Sequence, residues 1–255
     1  MIDLSLTYSV AAGYSSASQI ARVVTELWAH TNLYCPECGQ HRLVRYTNNT
    51  PVADFYCSAC QSDFELKSRK GPFGPKIIAG SYAAMIERTG KPSSPHFILL
   101  QHDGDVVIEV SIIPNFYFVP GIIEPRVPLS SDAQRAGWTG SVINIARVPD
   151  AGRVYYVRDS IALQPSTVLE GWRRASRARD RLGPSGESWL FDVMRCIDQI
   201  GKGNFSLSEV YQFESDLATL HPNNGHIHEK IRQQLQVLRD IGYLRFVSRG
   251  FYQLL

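Results

Sequence analysis

The stretch from Cys35 to Lys67 reads CPECGQHRLVRYTNNTPVADFYCSACQSDFELK and decides the fold of the chain around it. It contains two Cys-x-x-Cys pairs, Cys35/Cys38 and Cys57/Cys60, with eighteen residues between them. Each pair presents two thiolates on one side of a tight turn, and four thiolates satisfy the tetrahedral preference of Zn²⁺ without an open position. The spacing therefore predicts a structural zinc site in a zinc ribbon.

Other interpretations of these cysteines are unligated thiols or a redox pair. Either one would require two Cys-x-x-Cys pairs to coincide at ribbon spacing. Oxidised secreted domains rarely space cysteines in this way, so metal in a reducing compartment is favoured. The start of the chain lacks a basic segment followed by an apolar one, and no apolar run reaches about 18 residues. We therefore expect a soluble, cytoplasmic protein.

Length and charge set broad limits on the architecture and on the partners. A chain of 255 residues can bury one large core or two smaller ones, so we expect two domains. The glycine and proline cluster at residues 183–186 marks their boundary, which gives domains 1–183 and 184–255. A formal net charge of +2 is too small to indicate polyanion binding over the whole surface.

Two acids and a lysine are interleaved with the second cysteine pair. Phe64–Lys67 alternates as a strand, which puts Glu65 and Lys67 on one face. Pairing with a strand over Val52–Tyr56 would bring Asp54 next to them. Two carboxylates and one ammonium suit metal-assisted phosphodiester hydrolysis, which needs hard oxygen ligands for Mg²⁺ and a cation beside the attacking water. The alternative is a cluster of surface ion pairs.

The flanking segments predict an α/β sheet core. An amphipathic helix is expected over Ser18–His30, and a helix over Gly80–Thr89. Pro95–Leu100 is almost wholly apolar and predicts a central strand, followed by a strand over Val106–Val110. Between these elements, Ser68–Lys76 is interpreted as a cationic loop.

Two later segments are candidates for contact with nucleic acid. The long connection from Pro120 to Gly140 contains Arg135-Ala136-Gly137-Trp138. Its tryptophan beside glycine and arginine predicts a stacking surface for an unusual base, a wedge in a DNA groove, or a core residue. Residues Glu170–Arg181 carry the densest positive charge in the chain, which indicates phosphate contacts or a solvated linker.

The C-terminal part predicts three helices closed by a hairpin, which is a winged helix. The first helix covers Trp189–Ile200, with Cys196 as a small core residue. Ser206–Glu209 is a capping box that opens the second, and the third runs to Ile241. Strands on either side of residues 248–250 form the hairpin.

Polar residues at the start of the third helix are candidates for base recognition. His226, His228, Arg232 and Gln233 lie off its apolar stripe and suit base edges in the major groove. Residues 184–255, however, contain seven Lys/Arg and eight Asp/Glu, a net charge of −1. Either positive charge concentrates on the recognition face, or this domain binds protein instead.

Taken together, these strings resemble one nuclease family. The ribbon, Pro51–Asp54, Phe64–Lys67 and Arg135–Trp138 resemble the DpnI-like, methyl-directed (type IIM) restriction endonucleases of the PD-(D/E)XK class. The likeness runs nearly end to end and includes Phe213–Leu217 and the string that begins at Glu229. Asp54 is separated from Pro51 by two residues, which weakens the match to the general class but not to this family.

The resemblance implies a fold, an activity and a set of site residues. The fold would be α/β, a restriction-endonuclease-like sheet-centred domain with an inserted zinc ribbon, plus a C-terminal winged helix. The activity would be magnesium-dependent type II cleavage of double-stranded DNA at G-A-T-C sites carrying N6-methyladenine, within a restriction-modification system. Separately, we expect the protein to be a monomer. Asp54, Glu65 and the Leu66 carbonyl would hold Mg²⁺, Lys67 would orient or activate the water, and Trp138 would lie against the methylated adenines.

Three questions stay open at this point. In nucleases of this class an acid of the first helix sometimes joins the metal site, but we expect Glu26 on a solvated helix face. A non-catalytic DNA-binding regulator or methyl-DNA reader is the main alternative function, although two acids facing a phosphate would repel it. A third possibility is a repair nuclease with the same metal chemistry and another sequence preference. Only the family resemblance argues against it.

Overall fold

The computed structural model describes residues 2–47, 53–88, 91, 94–177, 179 and 187–255. Backbone contacts divide the chain into two compact units. The first comprises Met1–Asn144 and Gly152–Arg173, and the second comprises Ile145–Ala151 and Arg174–Leu255. The predicted boundary at residues 183–186 lies outside the described residues, so the division into 1–183 and 184–255 stays a prediction.

The described residues contain seven α-helices and thirteen strands. The helices are α1 Ala17–Asn32, α2 Tyr82–Arg88, α3 Pro165–Ser176, α4 Glu187–Ile200, α5 Leu207–Tyr211, α6 Glu214–Leu220 and α7 Ile227–Asp240. The strands are β1 Val44–Arg45, β2 Phe55–Tyr56, β3 Asp63–Lys70, β4 Lys76–Ser81, β5 His96–Asp103, β6 Val106–Ile113, β7 Ile123–Pro125, β8 Gly140–Asn144, β9 Val154–Arg158, β10 Ile161–Ala162, β11 Asn204–Ser206, β12 Leu244–Ser248 and β13 Phe251–Leu254.

A seven-stranded sheet forms the centre of the first unit, in the order β1-β2-β3-β5-β6-β9-β10. Strands β3 and β5 are parallel, and the other neighbouring pairs are antiparallel. Residues 96–100 of β5 are all buried, so the continuous apolar run does mark a central strand. A mixed α/β architecture is thus confirmed.

A second sheet of the first unit, β4-β8-β7, positions α2. The Tyr82 N–H, at the start of α2, donates to the Thr139 carbonyl at 3.0 Å. The Ser141 hydroxyl of β8 donates to the Gly80 carbonyl of β4, also at 3.0 Å. The connection between β7 and β8 is therefore tied directly to the strand–helix junction that precedes α2.

Helix α1 packs against β3 through one apolar side. Val24, Trp28 and Ala29 are buried on that side. The Trp28 indole donates to the Asp3 carbonyl at 2.7 Å, and the Thr25 hydroxyl donates to Ser68 Oγ at 3.0 Å. These contacts fix the helix over the middle of β3 and so determine which of its side chains face that strand.

Two sequence-based interpretations of irregular segments were wrong. Ser68–Lys70, predicted as the start of a cationic loop, continues β3, because the parallel pairing with β5 extends to Lys70↔His102. Of the segment Glu170–Arg181, interpreted as either phosphate contacts or a solvated linker, residues 170–176 are the end of α3, where Trp172 and Ala175 are buried, so the linker alternative is wrong for this part. In both places long-range packing overrides a local sequence that is rich in exposed charge.

The second unit contains helices α4 to α7 and the sheet β11-β13-β12. The predicted second helix is split into α5 and α6, and β11 was not predicted. The capping box is confirmed, because Ser206 Oγ accepts from the Glu209 N–H and Glu209 accepts from the Ser206 N–H. Cys196 is buried as predicted, and burial raises its pKa to about 12.

A buried ion cluster ties the segment Ile145–Ala151 to α4. Asp192 of α4 is 2% exposed, and it accepts from Arg147 at 3.0 Å and contacts His221 Nε2 at 2.9 Å. Burial opposes ionisation of Asp192, but the hydrogen bond from His221 and the charge of Arg147 outweigh it and lower its pKa. Within the described residues, no helix has the length and apolar character needed to cross a bilayer.

Candidate active site

The four cysteines of the predicted zinc site come together at one end of β2. Their sulfur atoms all lie within 4.8 Å of one another. Cys35 Sγ is 3.6 Å from Cys60 Sγ, and Cys38 Sγ is 3.5 Å from Cys57 Sγ. Sulfur atoms of a tetrahedral site with Zn–S bonds of about 2.3 Å are separated by about 3.8 Å. The cluster can therefore hold a structural zinc ion.

The two cysteine turns have the same backbone geometry. The Cys35 carbonyl accepts from the Gly39 N–H and the Cys57 carbonyl accepts from the Gln61 N–H, both at 2.9 Å. The residue after each pair is left-handed, with φ of 79° at Gly39 and 63° at Gln61. Both turns thus direct their thiols to one point by the same hydrogen-bonded loop.

Asp54, Glu65 and Lys67 meet at the other end of β2. The antiparallel register of β2 and β3, continued by one step, places Asp54 opposite Glu65. Asp54 Oδ2 accepts from the Leu66 N–H at 2.7 Å, and Lys67 Nζ lies 2.5 Å from Glu65 Oε1. The structure brings the three predicted catalytic side chains together, while their roles, and that of the Leu66 carbonyl, stay predictions. Pro51 and Val52 of the proposed signature lie outside the described residues.

A cleft of about 380 Å³ opens beside these side chains. Asp54, Glu65 and Lys67 line one part of it, and the end of β4 and α2, including Met85 and Arg88, line the rest. About a quarter of the Glu65 and Lys67 side chains is exposed, at 25% and 26%. The three polar groups are therefore open to a ligand but partly shielded from bulk water.

The expectation that Glu26 lies on a solvated helix face was wrong. Glu26 is buried, with 5% of its surface exposed, and does not lie on a solvated face of α1. It pairs with Arg45 of β1 and with Arg22, which is 3.7 Å away. Burial raises the pKa of Glu26, the two arginines oppose this, and the negative charge of Asp54 adds to it. The helical pattern could not show that β1 places Arg45 against this side of α1.

A second cleft, of about 630 Å³, lies between α1 and the strands β3 and β4. It shares Asp54, Leu66 and Lys67 with the first cleft, so the two clefts meet at Asp54. Glu26 also lines it. Its remaining charged lining side chains are basic, namely Arg22, Arg69, Lys70 and Lys76. A groove that contains both acids and several cations suits a polyanion that is hydrolysed with the help of a divalent cation.

The donor set at this point fits a hard divalent cation. Asp54 and Glu65 supply carboxylate oxygens, which Mg²⁺ prefers. The hydrogen bond from Leu66 engages one oxygen of Asp54, and Lys67 engages one oxygen of Glu65. The second oxygen of each has no hydrogen-bond partner among the described residues, so both carboxylates keep a lone-pair donor for a cation.

Trp138 lies half-buried in the connection from β7 to β8. The Arg135 guanidinium stacks over its ring at 4.8 Å from the centroid. A Cβ atom on Gly140 would lie 3.0 Å from two carbons of the same ring, so the absence of a side chain there lets the ring approach the backbone. The tryptophan is thus held between Arg135 and Gly140 and is neither fully buried nor free.

The predicted base-reading residues of α7 make contacts within their own unit. His228 stacks on Tyr211 with ring centroids 3.8 Å apart, and its Nε2 is 3.0 Å from Glu214. Arg232 donates to the Tyr211 hydroxyl at 2.8 Å. His226 and Gln233 are exposed. The structure leaves all four at the surface of the unit, and base contact stays a prediction.

Arg88 lines the carboxylate cleft but was not among the predicted site residues. The helix that carries it was predicted over residues 80–89 and is observed over Tyr82–Arg88. A basic residue in a last helical turn is common, because it complements the helix dipole. The sequence contains no further signal that places this side chain on the cleft side.

Two family models match the chain and between them cover nearly all of it. The model described as the Dam-replacing family, DpnI, matches residues 2–181. The model described as the Dam-replacing HTH domain matches residues 185–254. The first match includes the cysteine cluster and the carboxylate cleft, and the second supports a DNA-binding helix-turn-helix domain at the C-terminus.

Proposed function

The chain belongs to the Dam-replacing, DpnI family, and on this premise we propose that it is a methylation-dependent type II restriction endonuclease. Its substrate would be double-stranded DNA at G-A-T-C sites that carry N6-methyladenine. It would act as a monomer in the cytoplasm, as part of a restriction-modification system. Family membership supports a restriction enzyme in general, and the meeting of Asp54, Glu65 and Lys67 in an open cleft is the observation that carries the hydrolytic mechanism.

The proposed reaction is hydrolysis of one phosphodiester bond in each strand. A water oxygen attacks phosphorus, the bond from phosphorus to one ester oxygen breaks, and a phosphate monoester and a hydroxyl result. Lys67 donates a hydrogen bond to the attacking water and offsets negative charge that develops on the phosphate. Its present pairing with Glu65, at 2.5 Å, keeps it at the reacting centre before DNA enters.

The carboxylates would hold Mg²⁺ between them. When bound, this cation supplies Lewis-acid stabilisation of the phosphate and lowers the pKa of water in its shell. The Leu66 N–H fixes one Asp54 oxygen and so orients the other. The Leu66 carbonyl is the third proposed ligand. The overall sheet is proposed to be a variant of the PD-(D/E)XK fold, with β3 as its acid-x-lysine strand.

Discrimination of the methylated base is proposed to use both units. Trp138 would lie against the methylated adenines, while His226, His228, Arg232 and Gln233 of a winged helix would contact base edges. A methyl group in a fitted apolar pocket is worth only about 1–3 kcal/mol. Two independent recognition steps at the same kind of site would multiply the selectivity that either one provides.

The decisive experiment is cleavage of one plasmid prepared with and without adenine N6-methylation at its G-A-T-C sites. We expect cleavage of the methylated plasmid alone, and only when Mg²⁺ is present. The Asp54→Ala protein is the matched control and should leave both plasmids intact while still binding the methylated one. Cleavage of both plasmids would remove the methylation requirement. Binding without cleavage by the wild-type protein would identify a methyl-DNA reader.

A further inference from the structure

Only two cations, Lys67 and Arg88, line the cleft of about 380 Å³ within the part of the chain that the structure describes. Lys67 is paired with Glu65 at 2.5 Å. Arg88 has no ion pair with any described carboxylate, although Asp54 and Glu65 line the same cleft. An arginine in such a place is available for an anion from outside the protein.

The neighbouring cations contrast with Arg88. Lys91, one turn further along, is paired with Glu87 at 3.1 Å and is half exposed. In the second cleft, Arg22 is paired with Glu26 and Lys76 with Glu124. Among the described residues, two basic side chains around this site have no ion pair: Arg69, whose guanidinium lies over the Phe73 ring at 5.9 Å, and Arg88. Of these two, only Arg88 lines the cleft of about 380 Å³.

The backbone of Arg88 is held in place. Its carbonyl accepts from the Ser94 hydroxyl at 2.6 Å and from the Lys91 N–H at 3.0 Å. The side chain also borders a small, mainly apolar cavity that is lined by Glu65, Met85 and Phe97, among others. Helix-dipole attraction explains why a cation ends α2, but it does not explain a residue that lines both this cavity and the carboxylate cleft.

We infer that Arg88 binds a phosphate of the DNA in this cleft, on the α2 side of Asp54 and Glu65. This inference rests on the proposed nuclease function. The planar guanidinium presents parallel N–H donors that match two phosphate oxygens. It also reduces the repulsion that a phosphate meets beside two carboxylates. Arg88 then holds the backbone, while Lys67 is left for the attacking water and Asp54 and Glu65 for the cation.

The test compares Arg88→Ala and Arg88→Lys with Lys91→Ala in the full-length protein. The control removes a nearby cation that is already paired and lies outside the cleft. Binding of a fluorescent methylated duplex is measured by anisotropy at several salt concentrations, in buffer without divalent cations. Cleavage is measured under single-turnover conditions with Mg²⁺, and melting temperatures show whether each variant is folded.

We expect Arg88→Ala to lower the slope of log Kd against log salt concentration by about one, as the loss of one phosphate contact does. Its single-turnover rate should fall by about 10²-fold, the usual effect of losing one charge-stabilising donor. Arg88→Lys should keep the slope and recover part of the rate. Lys91→Ala should match the wild-type protein in both measurements.

An Arg88→Ala protein with the slope and rate of Lys91→Ala would overturn the inference. So would a lower rate with an unchanged slope, because the loss would not come from a phosphate contact. If the wild-type protein binds the duplex but never cleaves it, the nuclease proposal fails while the salt slope still decides the role of Arg88. If the wild-type protein does not bind DNA, both proposals fail.

Discussion

The two ends of strand β2 carry opposite kinds of site. At the Cys57 end, four thiols of one chemical type converge within 4.8 Å, held by two matching backbone turns. At the Asp54 end, carboxylates and cations of mixed type border open clefts of about 380 and 630 Å³. A closed donor set favours stability and an open one favours chemistry, and here a strand of two residues joins them.

Breaking the closed end should have the largest effect. Replacement of Cys57 by serine removes one thiolate ligand, and structural zinc sites contribute about 10–16 kcal/mol of apparent binding free energy to folding. We expect zinc content, melting temperature and cleavage all to fall together. Asp54→Ala, at the open end, should abolish cleavage with little change in melting temperature. Equal melting temperatures for Cys57→Ser and wild-type protein would contradict the view that the cysteine site stabilises the fold.

The loop beside the open end should affect selectivity more than rate. Trp138→Ala removes the ring between Arg135 and Gly140. We expect the preference for methylated over unmethylated DNA to fall by about 10–100-fold, which corresponds to about 1–3 kcal/mol. The measurement is kcat/KM on matched duplexes with and without the methyl groups. A uniform loss on both duplexes would instead assign the tryptophan to folding or general DNA binding.

Substitutions in the two matching cysteine turns should have a smaller effect, on stability alone. Gly39 and Gln61 occupy equivalent left-handed positions, with φ of 79° and 63°. Gly39→Ala should cost about 1–2 kcal/mol of unfolding free energy, because a Cβ atom disfavours this backbone conformation. Gln61→Gly should cost less than this or be neutral. Denaturant unfolding of the zinc-loaded protein measures both, and a larger cost for Gln61→Gly would show that the turns are not equivalent.

The smallest expected effect concerns Glu26, next to the open end. Its pKa is raised above the ordinary value of 4.5 by burial. Because the folded-state pKa exceeds the unfolded one, its contribution to stability is greatest below pH 4.5 and is lost as pH rises through the folded-state pKa. The melting temperature of Glu26→Gln minus that of the wild-type protein should therefore increase as pH rises from 4.5 to 7. A relative loss over that range would mean that the Arg45 pair outweighs burial.

The closed site could be predicted more completely from sequence than the open one. Four cysteines at ribbon spacing specify both the ligands and their geometry, because each Cys-x-x-Cys turn is local. The proximity of Glu65 and Lys67 could also be predicted from the sequence, because residues two apart in a strand share a face. In each case the informative neighbours lie within a few residues of one another.

The rest of the open site depends on contacts between distant segments. Glu26 was misplaced because its partner Arg45 lies on β1, nineteen residues later. Arg88 reaches the cleft because the sheet β4-β8-β7 positions α2, and that sheet combines residues from Lys76 to Asn144. Likewise, Ser68–Lys70 belong to a strand because of a parallel partner more than thirty residues away. Local patterns carry no information about such pairings.

The shortness of β2 has a consequence for the protein during its synthesis in a cell. A two-residue strand does not persist alone, so the placement of Asp54 depends on the cysteine turns that follow it. A nascent chain that lacks zinc would contain every residue of the cleft without the arrangement that makes them reactive. In a host whose G-A-T-C sites carry N6-methyladenine, we expect DNA damage by the overproduced protein to follow the zinc supply of the growth medium, even when magnesium is abundant.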